Sequence, residues 1–345
     1  MAPEPNPTPR EVAVDSAHDR AKAALLRPKA TLSKPLRYWY AIATSDELGH
    51  RPLARTLFDA PIVVFRTESG RAAALVDRCP HRNVPLSLGK VRGERIACAY
   101  HGWELDTDGA CRFVPSLVGD AKSKSRRAPA YAVREQQGIV WLWGKPDDVP
   151  DKEPHRFAML RERGYTTVRR TVEAKGTLYS TLENALDVPH TAFLHRGLFR
   201  SESRGITITA NVERTADRVV AEYLGEPRPP GIVARILSPS GGTVSHFDRF
   251  IMPSIAQVEY RIGDENHFLV DSVMTPVSDF VTRIHAVVSY RMRIPGFLLR
   301  PLLTPLALRV FQQDALILAE QTETIRRFGG ESFASTEIDV LGKHI

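Results

Sequence analysis

The sequence predicts an α+β protein in which a small all-β domain precedes a larger domain with an antiparallel sheet flanked by helices. Short apolar runs separated by turn residues fill residues 36–144, and longer β-prone runs follow between two helical stretches. Hydrophobic residues make up 43% and charged residues 25% of the 345 residues, which is typical of a soluble globular protein. We expect a flexible Pro-rich tail over residues 1–35, the all-β domain over 36–150 and the second domain over 151–345.

The all-β domain is predicted from strand and turn signals. The runs Pro61–Arg66 and Ala72–Asp77 flank a Thr-Glu-Ser-Gly turn, and residues 138–144 read GIVWLWG. The polar, Pro-rich segment Lys145–Pro154 is typical of a domain edge.

The second domain is predicted to begin with a helical stretch from Gly176 to His195 and to end with a helix from about Leu306 to Phe328. Between them lie the β-prone runs Ile206–Glu213, Val258–Ile262 and Val281–Ile294. Arg, Pro and Asp residues interrupt the apolar region Phe297–Leu318, so it cannot cross a bilayer as a clean helix. A pair of buried helices is favoured there over contact with a membrane surface.

Charge and the first residues of the chain exclude several classes of function. The net charge is +7, and the stretch from Arg71 to Arg127, with 11 basic and six acidic residues, holds +5 of it. No recognised nucleic-acid-binding motif accompanies this charge, so we expect no nucleic acid partner. The first ten residues, MAPEPNPTPR, lack the apolar core of a secretory signal, which favours the cytoplasm. Three cysteines are too few for a disulfide scaffold.

Two Cys and two His form the most specific motif. Cys79-Pro80-His81 is followed, after 16 residues, by Cys98-Ala99-Tyr100-His101, so each half offers one thiolate and one imidazole on a tight turn. Two such turns can face each other across one metal centre. A structural zinc site is the alternative, although zinc fingers usually pair Cys with Cys and His with His at short spacing.

With the flanking residues CPHRNVPLSLG and YHGWELDTDGAC, the sequence resembles the Rieske iron–sulfur proteins. The resemblance implies a [2Fe–2S] cluster with two Cys on one iron and two His on the other. Its ligands here would be Cys79, His81, Cys98 and His101. Neutral imidazoles in place of two thiolates raise the reduction potential, so such a cluster accepts electrons readily. Cys111 lies outside the pattern.

A second motif, ENALDVPHTAFLH, contains Asp187, His190 and His195. On a continuous helix the two histidines would lie about 140° apart, so they can bind one ion only if the helix is distorted, for which Pro189 is a plausible cause. Two imidazoles and one carboxylate make the facial triad of non-heme Fe(II) oxygenases, which leaves positions open for dioxygen. A pair of histidines on a helix is otherwise more often structural.

Together the two motifs resemble the α subunits of Rieske non-heme iron oxygenases, over about Leu36 to Gln321. The resemblance implies a helix-grip catalytic domain in which His190 and His195 bind iron and Asp187 bridges His190 to His101 of a neighbouring subunit in a homotrimer. The third ligand of the family is a carboxylate seven residues before a Gln, which indicates Asp314 before Gln321. Glu320 and Asp271 are rival candidates, and an ordinary surface acid is the alternative for Asp314.

Two further residues near these positions are notable. The residue before the third ligand is often Glu in relatives but is Gln313 here. Asn184, one turn before Asp187, is a candidate residue of the site, with a plain helix polar residue as the equal alternative.

The resemblance implies a terminal oxygenase that activates O2 at Fe(II) and hydroxylates or oxidatively demethylates a hydrophobic ring-containing molecule, most like the α-only monooxygenase and demethylase branch. A ring cis-dihydroxylating dioxygenase and an electron-transfer protein without mononuclear iron are the alternatives. Electrons would come from a ferredoxin or flavin reductase, and from NAD(P)H only indirectly. Basic residues near the cluster motif would steer an acidic donor, or form a solvated face. The substrate pocket is expected near six apolar residues: Phe250, Ile251, Met252, Phe297, Leu298 and Leu302.

Overall fold

The computed structural model describes residues 34–195, 209–225, 244–263, 266–292 and 296–345. The predicted tail falls almost wholly outside these residues, as do the first residues of the run Ile206–Glu213 and the end of the run Val281–Ile294. Within the described residues, antiparallel sheets and few helices confirm the predicted α+β class.

Three small antiparallel sheets build residues 39–143, with the strand orders β1-β11-β10, β2-β3-β4-β9 and β5-β6-β7-β8. Their strands are β1 (Trp39–Thr44), β2 (Leu53–Leu57), β3 (Ala60–Arg66), β4 (Ala72–Val76), β5 (Lys90–Arg92), β6 (Arg95–Ala97), β7 (Glu104–Asp106), β8 (Cys111–Phe113), β9 (Ala130–Tyr131), β10 (Val133–Gln136) and β11 (Ile139–Trp143). The predicted hairpin at residues 61–77 is confirmed as β3 and β4. Short 3-10 turns lie at Leu86–Leu88 and Lys124–Arg126.

One seven-stranded antiparallel sheet dominates the second half of the chain, in the order β12-β18-β17-β16-β15-β14-β13. Its strands are β12 (Thr166–Ala174), β13 (Thr209–Arg214), β14 (Arg218–Leu224), β15 (Val244–Ile251), β16 (Ile255–Ile262), β17 (Asn266–Ser278) and β18 (Val281–Arg291). The helices are α1 (Leu178–Leu186), α2 (His190–Phe193) and α3 (Gly296–Phe328), followed by a 3-10 turn at Gly342–His344.

Helix α1 lies on one face of the seven-stranded sheet. Thr177 caps its N-terminus, because the Thr177 hydroxyl accepts a hydrogen bond from the Ser180 N–H at 3.0 Å. Leu178, Leu182 and Leu186 follow at helical spacing and pack on sheet residues such as Phe250 and on Leu318 of α3. This packing fixes the end of α1, and therefore Asp187, above the sheet.

The opposite face of the sheet packs against the first half of the chain. Trp39, Trp141 and Trp143 are buried against Val273 and Val287. Hydrogen bonds cross the same boundary, from the Thr275 hydroxyl to the Ala41 carbonyl at 2.7 Å and from the Phe58 and Asp59 N–H groups to the Pro276 and Val277 carbonyls at 2.9 Å. We call this boundary the indole seam.

Two of the predicted helices differ from those observed. The stretch Gly176–His195 is not one helix, because α1 ends at Leu186 and α2 begins at His190, with Pro189 between them. The closing helix begins at Gly296 instead of Leu306, and it runs through Pro301 and Pro305, whose rings lie exposed on its surface. The prediction of a buried helix pair at Phe297–Leu318 is therefore wrong. None of the described helices is long and apolar enough to cross a membrane.

Candidate metal centres

Two loops with the same backbone hydrogen-bond pattern carry the Cys and His residues of the first motif. In one loop the Cys79 N–H donates to the Val84 carbonyl at 2.9 Å and the Asn83 N–H donates to the Cys79 carbonyl at 3.0 Å. In the other loop Cys98 pairs in the same way with Trp103 and Gly102, at 2.9 and 3.1 Å. Asn83 and Gly102 both have a positive φ, at 63° and 68°, which turns each chain sharply after its His.

The two loops place the two thiols together and the two imidazoles together. The Cys79 and Cys98 thiols are buried and hydrogen-bond each other, and burial together with this contact raises the pKa of Cys79 to about 11. The rings of His81 and His101 lie 4.6 Å apart, and Trp103 stacks parallel to His81 at 4.5 Å. The structure therefore holds a thiol pair beside an imidazole pair.

This arrangement is unlike a site for one ion. A tetrahedral zinc site places neighbouring ligand atoms about 3.3 to 3.8 Å apart, given its bond lengths. Cys79, His81, Cys98 and His101 are all described, yet no three of them bring their ligating atoms within 4.8 Å of one another. His81 Nδ1 is buried and has no hydrogen-bond partner in the part of the chain that the structure describes, which fits a nitrogen that ligates metal. Two pairs of ligands suit a two-iron cluster better than a single zinc ion.

The second centre is a compact triad. His190, His195 and Asp314 each place one ligand atom within 4.8 Å of those of the other two. Asp314 Oδ1 lies 3.7 Å from His190 Nε2 and 3.1 Å from His195 Nε2. The break between α1 and α2 allows this, because it frees His190 and His195 from the angle that a continuous helix would impose.

In both histidines of the triad, Nδ1 makes a polar contact that orients the ring. His190 Nδ1 lies 2.5 Å from the carbonyl oxygen of Asp187 and 3.3 Å from its carboxylate. His195 Nδ1 lies 3.0 Å from Gln313 Oε1. Because each Nδ1 is engaged, Nε2 is the nitrogen that each ring presents to Asp314.

Burial and neighbouring charges shift the pKa values of His190 and Asp314 in opposite directions. Burial lowers the pKa of His190, but the hydrogen bonds and charge of Asp187, with the charge of Asp314, outweigh it and raise that pKa. Burial raises the pKa of Asp314, although the two histidines and a hydrogen bond from Asn184 oppose it. Asp314 Oδ1 is buried and, apart from the two imidazoles that face it, has no hydrogen-bond partner among the described residues, so it is an acceptor that can serve a cation.

The structure brings most of the predicted site residues together. Asn184 lies within hydrogen-bonding reach of Asp314, which favours a place in the site over a plain surface role. The rivals of Asp314 lie elsewhere, since Glu320 is exposed and Asp271 is buried against His155. The bridge from Asp187 to a neighbouring subunit involves a second chain and stays a prediction.

The predicted pocket residues are scattered. Phe250 belongs to the core under α1, whereas Ile251 faces the indole seam and Leu298 is exposed. The side chains of Phe297 and Leu302 lie outside the described residues. Alternation along β15 explains the divergence of Phe250 and Ile251, because neighbouring residues on a strand point to opposite faces.

Comparison with known families matches both halves of the chain. Residues 38–126 match the Rieske [2Fe-2S] domain, and residues 176–345 match the vanillate O-demethylase oxygenase C-terminal domain. Both motifs lie inside these matches.

Curated relatives agree with the domain matches. The protein TIC 55 of Pisum sativum, named as chloroplastic, is 29% identical over 303 residues, which is 83% of this chain and 52% of that protein. The oxygenase component of dicamba O-demethylase from Stenotrophomonas maltophilia is 32% identical over 164 residues, covering 46% of this chain and 47% of that protein. The chain thus spans about half the length of the curated relatives it matches.

Solved structures show the same fold. Dicamba monooxygenase bound to dicamba superposes with a TM-score of 0.76 at 22% identity, covering 90% of this chain and 96% of that chain. NdmA of Pseudomonas putida CBB5 with caffeine superposes with a TM-score of 0.74 at 22% identity, covering 90% and 88%. At this level of identity the likeness concerns the fold.

Proposed function

Since the chain belongs to the Rieske oxygenases that carry a vanillate O-demethylase-type C-terminal domain, we propose that it is a terminal oxygenase that hydroxylates or oxidatively demethylates a ring-containing small molecule. The observation that carries the proposal is the triad of His190, His195 and Asp314 within 4.8 Å, in one chain with the paired Cys and His loops. The proposal includes residues 36–150 as the Rieske domain and 151–345 as the catalytic domain.

The residues fit the two metal groups of this family. Cys79, His81, Cys98 and His101 would hold the [2Fe–2S] cluster, supported by the paired thiols and imidazoles and by His81 Nδ1, which lacks a hydrogen-bond partner within the described residues. The Fe(II) ligands would be His190, His195 and Asp314, supported by the buried Asp314 Oδ1 that faces the two imidazoles. When bound, the cluster supplies single electrons and the ferrous ion supplies open positions for O2 beside the substrate.

The protein side chains orient and shield this chemistry. Asp187 and Gln313 fix which nitrogen of each imidazole is offered, and Asn184 donates to the carboxylate of Asp314, which restricts its rotation. His195 is only 2% exposed, so water has little access to its ring. The triad is thereby prepared as a ligand set before any ion binds.

Asp187 has a second proposed role, as the bridge that joins His190 to His101 of a neighbouring subunit. His101 is exposed, which leaves its ring accessible to another copy of the chain, and the Asp187 side chain is 25% exposed. A carboxylate between two imidazoles would orient both rings. Such a contact joins one face of a subunit to a different face of the next, and it forms a ring when its rotation closes; we propose closure as a homotrimer.

The proposed electron donor is an acidic ferredoxin or a flavin reductase that itself oxidises NAD(P)H. Exposed basic residues support this choice, namely Arg78, Arg82, Lys90 and Arg92 in and after the first cluster loop, and Lys122 and Lys124 further along the chain. Part of the basic surface is already neutralised, since Arg92 and Arg95 both pair with Glu104 at 3.3 Å. The cytoplasm is the proposed compartment, whereas the relative TIC 55 of Pisum sativum is named as chloroplastic.

The relatives guide the substrate class. Dicamba O-demethylase is named for dicamba, and the NdmA structure is described as holding caffeine; both molecules are compact ring compounds, so we propose a small ring-containing molecule as the substrate. O-demethylase relatives favour monooxygenation or demethylation over ring cis-dihydroxylation. The metal-binding triad favours an oxygenase over an electron carrier that has only a cluster.

The proposal is tested with a surrogate reductase, NADH, O2 and a panel of methoxylated and hydrophobic ring compounds. His190→Ala and Asp314→Ala should abolish product formation and keep the visible spectrum of the cluster. Glu320→Ala is the matched control, because Glu320 is an exposed acid on the same helix as Asp314. Full activity in both triad variants, or protein as purified that holds zinc and no iron, would refute the assignment.

A further inference from the structure

Gln313 is the residue before the carboxylate ligand proposed above, and it contacts the opposite side of the site. Its Oε1 lies 3.0 Å from His195 Nδ1, while Asp314 Oδ1 lies 3.1 Å from His195 Nε2. Two successive residues of α3 therefore engage the two nitrogens of one imidazole. His195 itself is 2% exposed, so this contact is formed away from water.

We propose that Gln313 is a positioning residue for the ferrous site, which fixes the tautomer and the orientation of His195 through a neutral amide. This inference rests on the proposed function, since it assigns a role toward the metal of that site. With Gln313 Oε1 as the acceptor, His195 carries its proton on Nδ1 and presents the lone pair of Nε2. The ring is then already in the form that binds a metal ion.

The two histidines of the triad differ in the groups that contact their Nδ1 atoms. The Nδ1 atom of His190 contacts the carbonyl and the carboxylate of Asp187, at 2.5 and 3.3 Å. His195 is backed by an uncharged amide. A carboxylate at both positions would place two anions behind the rings in addition to the ligand Asp314, and every buried anion has a desolvation cost. Gln313 therefore orients its ring without adding a third negative charge.

The hydrogen bond of Gln313 joins two different elements of the fold. His195 follows the four-residue helix α2, whereas Gln313 lies inside the 33-residue helix α3. The hydrogen bond from His195 Nδ1 to Gln313 ties the His195 ring to the long helix, on the side of the ring opposite the nitrogen that faces Asp314. Partners of metal-ligating histidines typically change metal affinity by roughly 10- to 100-fold when they are removed.

The test measures metal affinity directly in the full-length protein with its cluster intact and the second site depleted of iron. Co(II) is titrated by calorimetry into the unsubstituted protein, Gln313→Leu, Gln313→Met and Gln313→Glu. We expect the two apolar variants to bind Co(II) roughly 10- to 100-fold more weakly. Gln313→Glu keeps an acceptor oxygen and should restore the affinity. Gln312→Leu is the matched control, because Gln312 is the exposed neighbour on the same helix.

The results distinguish failure of the Gln313 positioning role from failure of the proposed ferrous site. The cluster spectrum and the melting temperature of each variant show whether it is folded. Unchanged Co(II) affinity in a folded Gln313→Leu or Gln313→Met protein would overturn the positioning role, as would a Gln313→Glu protein that binds as weakly as they do. Asp314→Ala is titrated alongside, and if it binds Co(II) normally, the ferrous site itself is misassigned.

Discussion

His285 on β18 makes the stability of this protein sensitive to pH. The residue is 2% exposed, its Nδ1 lies 3.1 Å from the Thr171 hydroxyl, and the backbone of Ala41 also contacts its ring. Burial lowers the pKa of His285 from 6.5 to about 4, and the positive charges of Arg283 and Arg55 add to this against the opposing charge of Glu47. The folded protein therefore holds this imidazole in its neutral form.

The sign and size of the effect follow from the two pKa values. The unfolded chain takes up the His285 proton near pH 6.5, whereas the folded chain resists it until about pH 4. The stability contribution is therefore complete above pH 6.5 and is lost progressively as the pH falls toward 4. At 1.36 kcal/mol for each pKa unit, protonation of His285 destabilises the folded state by about 3 kcal/mol at pH 4.

The assay is urea unfolding of the unsubstituted protein and of His285→Gln at intervals from pH 7.5 to pH 4. The Gln variant keeps a polar side chain opposite Thr171 but does not titrate, so its free energy of unfolding should fall by about 3 kcal/mol less over this range. His50→Gln serves as the control, because His50 is exposed between β1 and β2. Parallel pH profiles for His285→Gln and the unsubstituted protein would refute the reasoning.

Asp187, Thr177 and the exposed basic residues of the first half of the chain offer three further tests. Asp187→Ala should lower product formation roughly 10- to 100-fold with the cluster spectrum unchanged, whereas full activity would contradict its role behind His190. Thr177→Ala should lower the free energy of unfolding by about 1 kcal/mol in urea at pH 7, because it removes the cap of α1; unchanged stability would contradict that cap. Stopped-flow reduction of the cluster by an acidic ferredoxin should slow as salt shortens the Debye length to about 10 Å at 0.1 M, and a salt-independent rate would argue against steering.

The sequence was most informative where chemistry depends on residue type and short spacing. In each loop the Cys and the His are only two or three positions apart, so the sequence alone shows that they are close together. The break that lets His190 and His195 converge was also readable, because Pro189 stands between α1 and α2. Asp314 could be predicted as the third ligand only through its spacing from Gln321 in a family that the sequence resembles, since nothing in its immediate neighbourhood distinguishes it from other helix acids.

The features that could not be predicted from the sequence depend on contacts between residues that are far apart in the chain. Gln313 and His195 are 118 positions apart, and a Gln in the middle of a helix carries no local sign that it will meet a histidine. The start of α3 was predicted ten residues too late because Pro301 and Pro305 are strong local signals against a helix, although the folded chain accommodates both on the exposed side. Burial of His285 was likewise hidden, since the residues beside it include Ala41, Glu47 and Arg55, which are more than 200 positions away in the sequence.

The indole seam ties the two halves of the chain into a single cooperative body. If residues 36–150 were produced alone, Trp39, Trp141 and Trp143 would lose their cover and face water, and the fragment would aggregate rather than serve as a portable electron carrier. Chimeras that exchange the front half of one relative for another must therefore carry matching residues on β17 and β18. Because of this packing, the cluster loops keep a fixed orientation relative to the second half of the chain, which a domain joined only by a flexible linker would lack.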